Sequence, residues 1–288
     1  MTKKHKAILY IITSAFCFAL MNCFVKLAGD VPTMQKSFFR NAIAFITAAF
    51  ILCTSKVKTR PKAGDIPYLL VRSAAGTVGI LCNFYAIDHM AAISDASMLN
   101  KMSPFFAIVF SFLIIKEKPK LFQTIGVIIA FIGSLFIIKP SLDFSDTLPA
   151  LIGFTGGMGA GLAYAFVRIL SGRGVQGAWI VVFFSAFSCL ITVPALIFDF
   201  SPMTIRQLLM LLGAGLAATG GQFSITAAYS NAPAKEISIY DYSQIIFAAM
   251  LGFFLFGDVP DMYSILGYVI ICGTSFAMFV FNKEEKEN

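Results

Sequence analysis

The sequence predicts an all-α polytopic membrane protein, with ten transmembrane helices arranged as two inverted five-helix repeats. Three observations lead to this prediction: the composition, the number and length of the apolar segments, and an internal repeat of about half the chain. Of the 288 residues, 58% are hydrophobic and only 13% are charged, and the mean hydropathy is +0.82. Soluble domains are about 45–50% apolar and about 25% charged, so this chain has too little polar surface for water.

Charged or turn-forming residues divide the apolar sequence into ten segments, each close to the roughly 20 residues that cross a bilayer. Apolar residues are continuous within each segment and do not alternate with polar ones, which favours helices over strands. The first segment has no small-residue cleavage pattern, so we expect an uncleaved helix and not a signal peptide. The predicted segments are 7–28, 36–54, 66–87, 93–115, 121–138, 148–170, 177–198, 206–228, 235–256 and 262–281.

The second half of the chain repeats the first at an offset of 141 residues, in a register shared by several segments. The aligned pairs include Phe106 with Phe247, Pro119 with Pro260, and Gly126 with Gly267. Because each half contains five segments, an odd number, the second half enters the membrane in the opposite orientation. We therefore divide the chain into a first repeat, residues 1–140, and a second repeat, residues 141–288. Inverted repeats of this kind are typical of transporters, with the binding site near the midplane between them.

Lysines and arginines are concentrated on one predicted side of the membrane, in residues 3–6, 56–62 and 116–120 and at Arg173. Cytoplasmic loops of membrane proteins contain an excess of these two residue types. We therefore expect a multi-pass protein of the plasma membrane, in a bacterium the inner membrane, with the N- and C-termini in the cytoplasm. The net charge of +7 reflects this orientation signal and does not indicate a nucleic-acid partner.

A proline and two polar side chains share one face of the fourth segment. Ser97, Asn100 and Pro104 are spaced by three and four residues, which places them on one side of a helix. Because proline has no N–H, the carbonyl group of Asn100 loses its helical hydrogen bond, which costs several kcal/mol in hydrocarbon unless another group replaces it. We expect a kink at Pro104 and a water-filled cavity in front of this face. A kink packed against a neighbouring helix is the alternative.

The internal repeat aligns Asn100 with Asp241, which shares a helix face with Ser238 and Gln244. Asp241 is the only acidic residue that we place well inside a segment, where an aspartate costs roughly 2.5–3.5 kcal/mol on insertion. Such residues usually face the interior of a helix bundle and are functional candidates. Three roles are open to it: contact with a substrate ammonium group, proton coupling, or a structural ion pair.

Lys101 and Arg40 are the basic residues that could pair with Asp241. Lys26 and Arg40 lie toward the ends of the first and second segments, where they either reach a substrate or extend to the lipid headgroups. Further amide and aromatic side chains at membrane depth complete the predicted substrate-binding set, because such groups suit a small amphipathic solute. They are Asn22, Asn83, Tyr85, Tyr164, Gln222 and Tyr240.

Glycines are concentrated in two segments, GFTGGMGAGLAYA at 153–165 and GAGLAATGGQ at 213–222. Small residues allow transmembrane helices to pack closely. Close contact of this kind is consistent with static packing and with helices that slide during transport.

Motifs of catalysis and of nucleotide binding are missing from the sequence, which has no GxSxG, P-loop or dinucleotide fingerprint. His5 lies in the N-terminal tail and His89 in a predicted loop, and the six cysteines lie inside apolar segments without CxxC spacing. We predict that the cysteines are small buried apolar residues, and we expect no enzymatic activity, no metal and no cofactor. Active transport by such a protein needs an ion gradient or solute exchange.

Several stretches resemble the EamA-type family of the drug/metabolite transporter superfamily. SDASMLNKMSPFFAIVFSFLIIKEKPKLFQTIGVIIAFIG at 94–133 is similar to the fourth and fifth helices of that family, and IYDYSQIIFAAMLGFFLFGDVPD at 239–261 to the corresponding part of its second repeat. FVK at 24–26 and FFRNAIA at 38–44 fit the same pattern. The resemblance covers nearly the whole chain. It implies ten helices in two inverted repeats around a central cavity lined mainly by helices 1, 3, 4, 6, 8 and 9.

Two positions depart from the family pattern. Ile245 occupies the position that Pro104 has in the first repeat, and Asp258 stands where Glu is commoner. The resemblance implies no particular substrate, since members of the family move very different small solutes.

Together these observations predict a secondary-active transporter that moves a small organic metabolite by alternating access. Candidate solutes are amino-acid-like, nucleoside-like or otherwise amphipathic, and the candidate coupling partner is a proton or an exchanged solute. A passive channel or facilitator and a membrane-embedded structural protein are the alternatives. The expected partners are the solute and the lipid bilayer, and the expected assembly is a monomer or a homodimer.

The charge asymmetry leads to a labelling prediction. Arg60→Cys and Lys118→Cys, each in a cysteine-free background, will resist a membrane-impermeant thiol reagent in intact cells, because their loops face the cytoplasm. Asp143→Cys will be labelled, because its loop faces outward. Permeabilised cells, in which all three positions react, provide the control, and labelling of position 60 or 118 in intact cells would reject the orientation.

Overall fold

The computed structural model describes residues 3–54, 60–116, 121–138, 144–232, 237 and 240–287. Nearly all of these residues are helical, and no strand occurs among them. The helices are α1 (Lys3–Leu27), α2 (Thr33–Thr54), α3 (Ile66–His89), α4 (Ile93–Asn100), α5 (Ser103–Phe110), α6 (Leu121–Ile138), α7 (Phe144–Gly172), α8 (Gly177–Phe198), α9 (Ile205–Asn231), α10 (Ser243–Phe256) and α11 (Met262–Glu287). A 3₁₀ turn, Ala63–Asp65, precedes α3, and a π-helical turn, Ser111–Ile115, follows α5.

Eight helical segments of the described chain are long and apolar enough to cross a membrane, and two shorter apolar helices, Thr124–Ile137 and Ser243–Phe256, accompany them. Each of the ten predicted segments contains an observed helix, which confirms the all-α polytopic fold. Large apolar side chains such as Leu190 and Phe254 are 71% and 76% exposed. Apolar surface of this extent is what a bilayer requires of the residues that face it.

The cysteines contradict one expectation, because only Cys23 is buried. Cys53 is exposed, and the remaining four are half-buried, with all six thiols free. A side chain that faces lipid is surrounded by hydrocarbon without being covered by protein. An apolar sequence context therefore does not distinguish a core position from one on the lipid-facing surface.

The helices pack in a pattern that is symmetric between the two halves of the chain. In the internal repeat, α1 corresponds to α7 and α3 corresponds to α9. The contact of α1 with α9 is therefore equivalent to the contact of α7 with α3, and both are observed. α2 packs on α8 and α6 packs on α11, and in both contacts the two helices are equivalent members of the two repeats. A two-fold axis between two five-helix repeats produces this pairing. The repeat boundary predicted between residues 140 and 141 lies outside the described residues.

The fourth predicted segment consists of two helices, α4 and α5, which are interrupted at Lys101 and Met102. Pro104 lies in the first turn of α5, where its missing N–H has no helical partner to lose. The Met102 carbonyl group accepts backbone hydrogen bonds from Phe105 and Phe106, both at 3.1 Å, so α5 starts anew at this point. At the kink expected at Pro104, the α-helix is interrupted for two residues, Lys101 and Met102.

The second repeat contains the equivalent break without a proline. α10 begins directly after Tyr242, the residue that the internal repeat aligns with Lys101. Ile245, which takes the place of Pro104, donates its backbone N–H to the Tyr242 carbonyl group at 3.0 Å. Because isoleucine permits a continuous helix, contacts with the rest of the protein maintain this second break.

Glycines of α7 bring its backbone against the backbone of α3. A Cβ atom on Gly159 would lie 2.8 Å from the Ala75 carbonyl oxygen, and one on Gly79 would lie 3.1 Å from the Ala160 nitrogen. The opposing atoms belong to the backbone and cannot rotate away, so any larger residue would force the helices apart. The glycine-rich sequence at 153–165 thus permits close packing between the two halves.

Gly159→Ala will lower the thermal unfolding midpoint of the purified protein in detergent, because overpacking a tight contact costs roughly 1–3 kcal/mol. Gly172→Ala, at the last residue of the same helix, is the matched control, since no neighbouring atom lies within 4 Å of its added methyl group. The control will unfold at or slightly above the wild-type temperature, because alanine favours a helix over glycine. An unchanged midpoint for Gly159→Ala would show that the contact is not tight.

Candidate functional site

A cavity lies between the two halves of the bundle, and both halves line it. About 540 Å³ of space is free of atoms in this region, including the solvent space at its opening. Phe18, Met21 and Ile80 contribute to its apolar walls. Its polar lining residues are Asn22, Arg40, Arg72, Asn83, Asn100, Tyr164, Gln222 and Gln244. A polar site shared by two repeats in this way is the arrangement found at the centre of secondary transporters.

Arg40 and Arg72 enter this cavity from helices α2 and α3. Each lies about two turns into its helix, roughly 10 Å from the helix start. Both guanidinium groups approach the ring of Phe184, whose centroid is 4.0 Å from the Cζ atom of Arg72 and 5.5 Å from that of Arg40. Gly76 makes room for this arrangement, because a Cβ atom there would lie 2.9 Å from the Phe184 ring. Arg40 is only 1% exposed, which contradicts the alternative that it extends to the lipid headgroups.

Each of the two arginines has donors without an acceptor. Arg72 Nη2 donates to Gln222 Oε1 at 3.2 Å, and Arg40 Nη1 donates to Asn41 Oδ1. The Nε and Nη2 atoms of Arg40 and the Nε and Nη1 atoms of Arg72 are buried and have no hydrogen-bond partner. Unsatisfied buried donors are costly, so these atoms are positioned to bind a group that enters the cavity.

A chain of polar side chains connects three helices along another wall. Asn83 Nδ2 donates to Asn22 Oδ1 at 3.3 Å, and Asn22 Nδ2 donates to Ser97 Oγ at 3.2 Å. Two acceptors in the lining, Asn83 Oδ1 and Gln244 Oε1, are buried without a donor. The cavity therefore offers hydrogen-bond acceptors as well as the guanidinium donors.

A buried ion pair joins the two helix breaks. Lys101 Nζ lies 2.8 Å from Asp241 Oδ1, and the two side chains are 1% and 0% exposed. Both carboxylate oxygens lack an aligned hydrogen-bond donor, so the contact is an ion pair without hydrogen-bond geometry. The Tyr242 hydroxyl donates to the Lys101 carbonyl group at 3.0 Å. Of the two candidate partners of Asp241, the structure thus selects Lys101 and not Arg40.

Half of the residues predicted for the site line the cavity, and three more are buried beside it. Ser97 accepts a hydrogen bond from a lining residue, while Lys101 follows a lining residue in the chain and pairs with Asp241. Ser238 lies outside the described residues. The predicted residues in the lining are Asn22, Arg40, Asn83, Asn100, Tyr164, Gln222 and Gln244.

Three predicted residues lie away from the cavity. Lys26 forms an ion pair with Asp258 at 2.9 Å near the end of α1, so it points to a carboxylate of the protein. Tyr85 stacks on His89 with ring centroids 4.0 Å apart, and Tyr240 packs edge-on against a phenylalanine of α11. Their position in an apolar segment places them at membrane depth but does not decide which face of the helix they occupy.

Sequence reasoning omits the apolar and small lining residues, and it also omits two that shape the polar site, Arg72 and Phe184. The sequence does contain a signal for Arg72, because an arginine inside an apolar segment is itself a functional candidate. Phe184 has no such signal, since it is one of 31 phenylalanines. Asp95 is a further omission: it is buried in the first turn of α4 and accepts a hydrogen bond from Tyr268.

The fold and this cavity together define a membrane transporter, in which two helical repeats enclose a polar site at the centre of the bundle. Within the described part of the chain, no three His, Cys, Asp or Glu side chains are grouped to hold a metal ion. The EamA-like transporter family matches the chain over residues 5–139 and 151–280, and the chain belongs to this family. This confirms the resemblance noted in the sequence, and it identifies a transporter of small molecules and not an enzyme.

Relatives with named functions cover nearly the whole chain. The chain is 32% identical to the pseudopaline exporter CntI of Pseudomonas aeruginosa over 274 residues, or 94% of this chain and 95% of the exporter. It is 25% identical to a riboflavin transporter of Vibrio cholerae, over 94% of this chain and 93% of the relative. Human solute carrier family 35 member G1 is 24% identical, over 92% of this chain and 76% of the relative. One crystal structure matches with a TM-score of 0.71 over 98% of this chain and 99% of its own, at 12% identity, and this likeness supports the fold alone.

Lys101→Met and Asp241→Asn will each lower the thermal unfolding midpoint, because removing one partner leaves a buried charge unpaired, at a cost of about 3–5 kcal/mol. The double variant will lose less than the sum of the two single losses, since it contains no unpaired charge. Lys62→Met, which removes an exposed lysine, is the control and will unfold close to the wild-type temperature. Strict additivity of the two losses would contradict the ion pair.

Proposed function

We propose that this protein is a secondary-active transporter that moves a small organic metabolite by alternating access, with the central cavity as its substrate site. The position of the cavity supports this most directly, because it lies between the two repeats and beside the breaks of two helices. A site lined by both halves can open to one side and then to the other when the halves rock against each other. Membership of a transporter family supports the same function.

The helix breaks supply the moving parts of the proposed cycle. α4 and α5 meet at Lys101 and Met102, where two short helices can change their relative tilt without bending either one. Near the end of α1, Asp258 accepts hydrogen bonds from Lys26 at 2.9 Å and from the backbone N–H of Ile93 at 3.2 Å. We assign this cluster to the closure of one end of the cavity, the outer end in the predicted orientation.

A proton or an exchanged solute is the proposed coupling partner, since the sequence has no nucleotide-binding motif. Asp241 is the proposed residue for this coupling, because its carboxylate is buried and, among the described residues, its ion-pair partner is Lys101. The proposed location is the bacterial plasma membrane, with both termini in the cytoplasm. One chain supplies the whole cavity lining, so a monomer is sufficient and a homodimer is the alternative.

The proposed solute is amphipathic, such as an amino-acid-like or nucleoside-like metabolite. The cavity lining includes aromatic, apolar and amide side chains, and sites of this composition bind small organic molecules. The named relatives include an exporter of pseudopaline and a transporter of riboflavin, so the family itself does not fix one substrate.

Counterflow in proteoliposomes tests the proposal. Metabolites are first screened for those that raise the thermal unfolding midpoint of the purified protein, and a labelled binder is then offered to vesicles loaded with its unlabelled form. A carrier accumulates the label transiently against its gradient and saturates with solute concentration. Flux that rises linearly with concentration and shows no counterflow would identify a passive channel or facilitator instead.

Two tryptophan substitutions in α3 test whether the solute crosses the membrane through the cavity. Ile80→Trp will reduce counterflow to background, because the added ring occupies the cavity that Ile80 lines. Val78→Trp is the matched control, since Val78 is 49% exposed on the outer surface of the same helix. Both variants are compared at equal thermal stability and equal reconstitution. Full counterflow through Ile80→Trp would show that the solute takes another path.

A further inference from the structure

We propose that the central cavity binds an organic anion, and that Arg40 and Arg72 hold its acidic group. This inference rests on the proposed function, because it assigns a charge class to the substrate of the same site. It follows from the charge balance of the bundle, from the unsatisfied donors of the two arginines, and from the groups that surround them.

The two arginines are the exception to a general pairing of charges in the described part of the bundle. Neither Arg40 nor Arg72 forms an ion pair there, although both are almost completely buried. Of the other buried basic side chains that the structure describes, Lys36 and Lys101 each have an acidic partner, and so do the partly exposed Lys26 and Arg173. These pairs are Lys26 with Asp258, Lys36 with Asp88, Lys101 with Asp241 and Arg173 with Asp65.

A charge left unpaired in the membrane interior is expensive, and such residues usually mark a substrate or ion pathway. Because Asp241 is already neutralised by Lys101, the cavity retains the two positive charges of Arg40 and Arg72. A neutral solute would leave both charges unbalanced, and a cation would be repelled. An anion restores the balance, so the electrostatics of the cavity select for negative charge.

The geometry of the free donors suits an oxyanion. Arg40 keeps Nε and Nη2, which lie on the same side of its guanidinium group and form a parallel pair of donors, buried without an acceptor. Arg72 keeps Nε and Nη1, which lie on opposite sides of its guanidinium group and act as single donors. Arginine binds carboxylate and phosphate groups through pairs of parallel N–H donors, which gives both strength and orientation. Both guanidinium groups lie against the ring of Phe184, which places their charges at the same part of the cavity.

The surrounding groups describe the rest of the solute. Phe184 and Tyr164 offer aromatic faces, and the free oxygens of Asn83 and Gln244 accept hydrogen bonds. We therefore expect an acidic compound with an apolar or aromatic body and at least one hydroxyl or N–H group. Carboxylic acids and organic phosphates share the oxyanion that the arginines recognise, and the experiment separates them.

Binding is measured first, on the purified full-length protein in neutral detergent. Its thermal unfolding midpoint is followed with the sodium salts of benzoate, succinate, citrate and phosphate, with sodium chloride and ethanolammonium chloride at equal ionic strength as controls. We expect at least one oxyanion to raise the midpoint in a saturable manner. A response to carboxylates alone assigns the site to carboxylic acids, and a response to phosphate alone assigns it to phosphorylated solutes. No oxyanion effect beyond that of chloride would overturn the proposal.

Arg40→Gln and Arg72→Gln will each weaken the binding of the active oxyanion at least about tenfold, the effect expected from losing one charged hydrogen-bonding group. Arg40→Lys and Arg72→Lys keep the charge but lose the planar set of guanidinium donors, so their affinities will be intermediate. Arg206→Gln removes an exposed arginine at the start of α9 and will bind as the wild type does.

The ligand-free unfolding midpoint separates binding from a purely structural role. If the arginines serve a ligand, both glutamine variants will unfold at or above the wild-type temperature, because an unpaired charge has been removed. Lower midpoints combined with unchanged oxyanion affinity would show that the arginines only support the fold, and would overturn the proposal. The lysine variants give the same comparison if a glutamine variant does not fold.

Failure of this inference is distinguishable from failure of the proposed function. Counterflow of a neutral or cationic solute that persists in Arg40→Gln and Arg72→Gln would overturn the anion assignment and leave the transporter intact. Oxyanion binding that requires both arginines, without counterflow of the bound compound in proteoliposomes, would support the assignment and contradict the transporter.

Discussion

The bilayer core offers no water to a free backbone group or to a buried charge, and this constraint decides where the two helix breaks lie. Each break removes hydrogen bonds from its own helix, so its polar groups need partners within the protein. The breaks supply these partners to each other. The Tyr242 hydroxyl reaches the Lys101 carbonyl group, and the Lys101 ammonium group reaches Asp241. Because free polar groups are costly in hydrocarbon, the two interruptions lie side by side, where these groups contact each other.

The two repeats pack symmetrically, but the charged residues that line the central cavity are not distributed symmetrically between them. The paired contacts of α1 with α9 and of α3 with α7 give the cavity similar walls on both sides. Both cavity arginines nevertheless come from the first repeat, and the internal repeat aligns them with Val181 and Gly213. The positive charge of the cavity therefore comes from the first repeat alone, and in the proposed anion site this asymmetry would orient a solute between the repeats.

The helices could be predicted from the sequence because lipid imposes a simple rule on length and polarity, and each of the ten segments contains a helix. The site could be predicted only in part. Asn22 and Asn83 stand out as amides at membrane depth, and Arg72 meets the same criterion as an intramembrane charge. The ion pair of Lys26 with Asp258 could not be foreseen, because the partner is distant in sequence and only the packing of the helices brings the two together.

The two breaks have different causes, although they occupy equivalent positions in the two repeats. In the first repeat the local sequence causes the interruption, because Pro104 has no N–H with which to continue the helix across Lys101. In the second repeat Ile245 has one, and the interruption is imposed from outside by the groups that Tyr242 and Asp241 contact. Substitutions elsewhere in the protein can therefore release the second break into a continuous helix but cannot release the first. The two repeats thus share an architecture but differ in how far mutation can alter it.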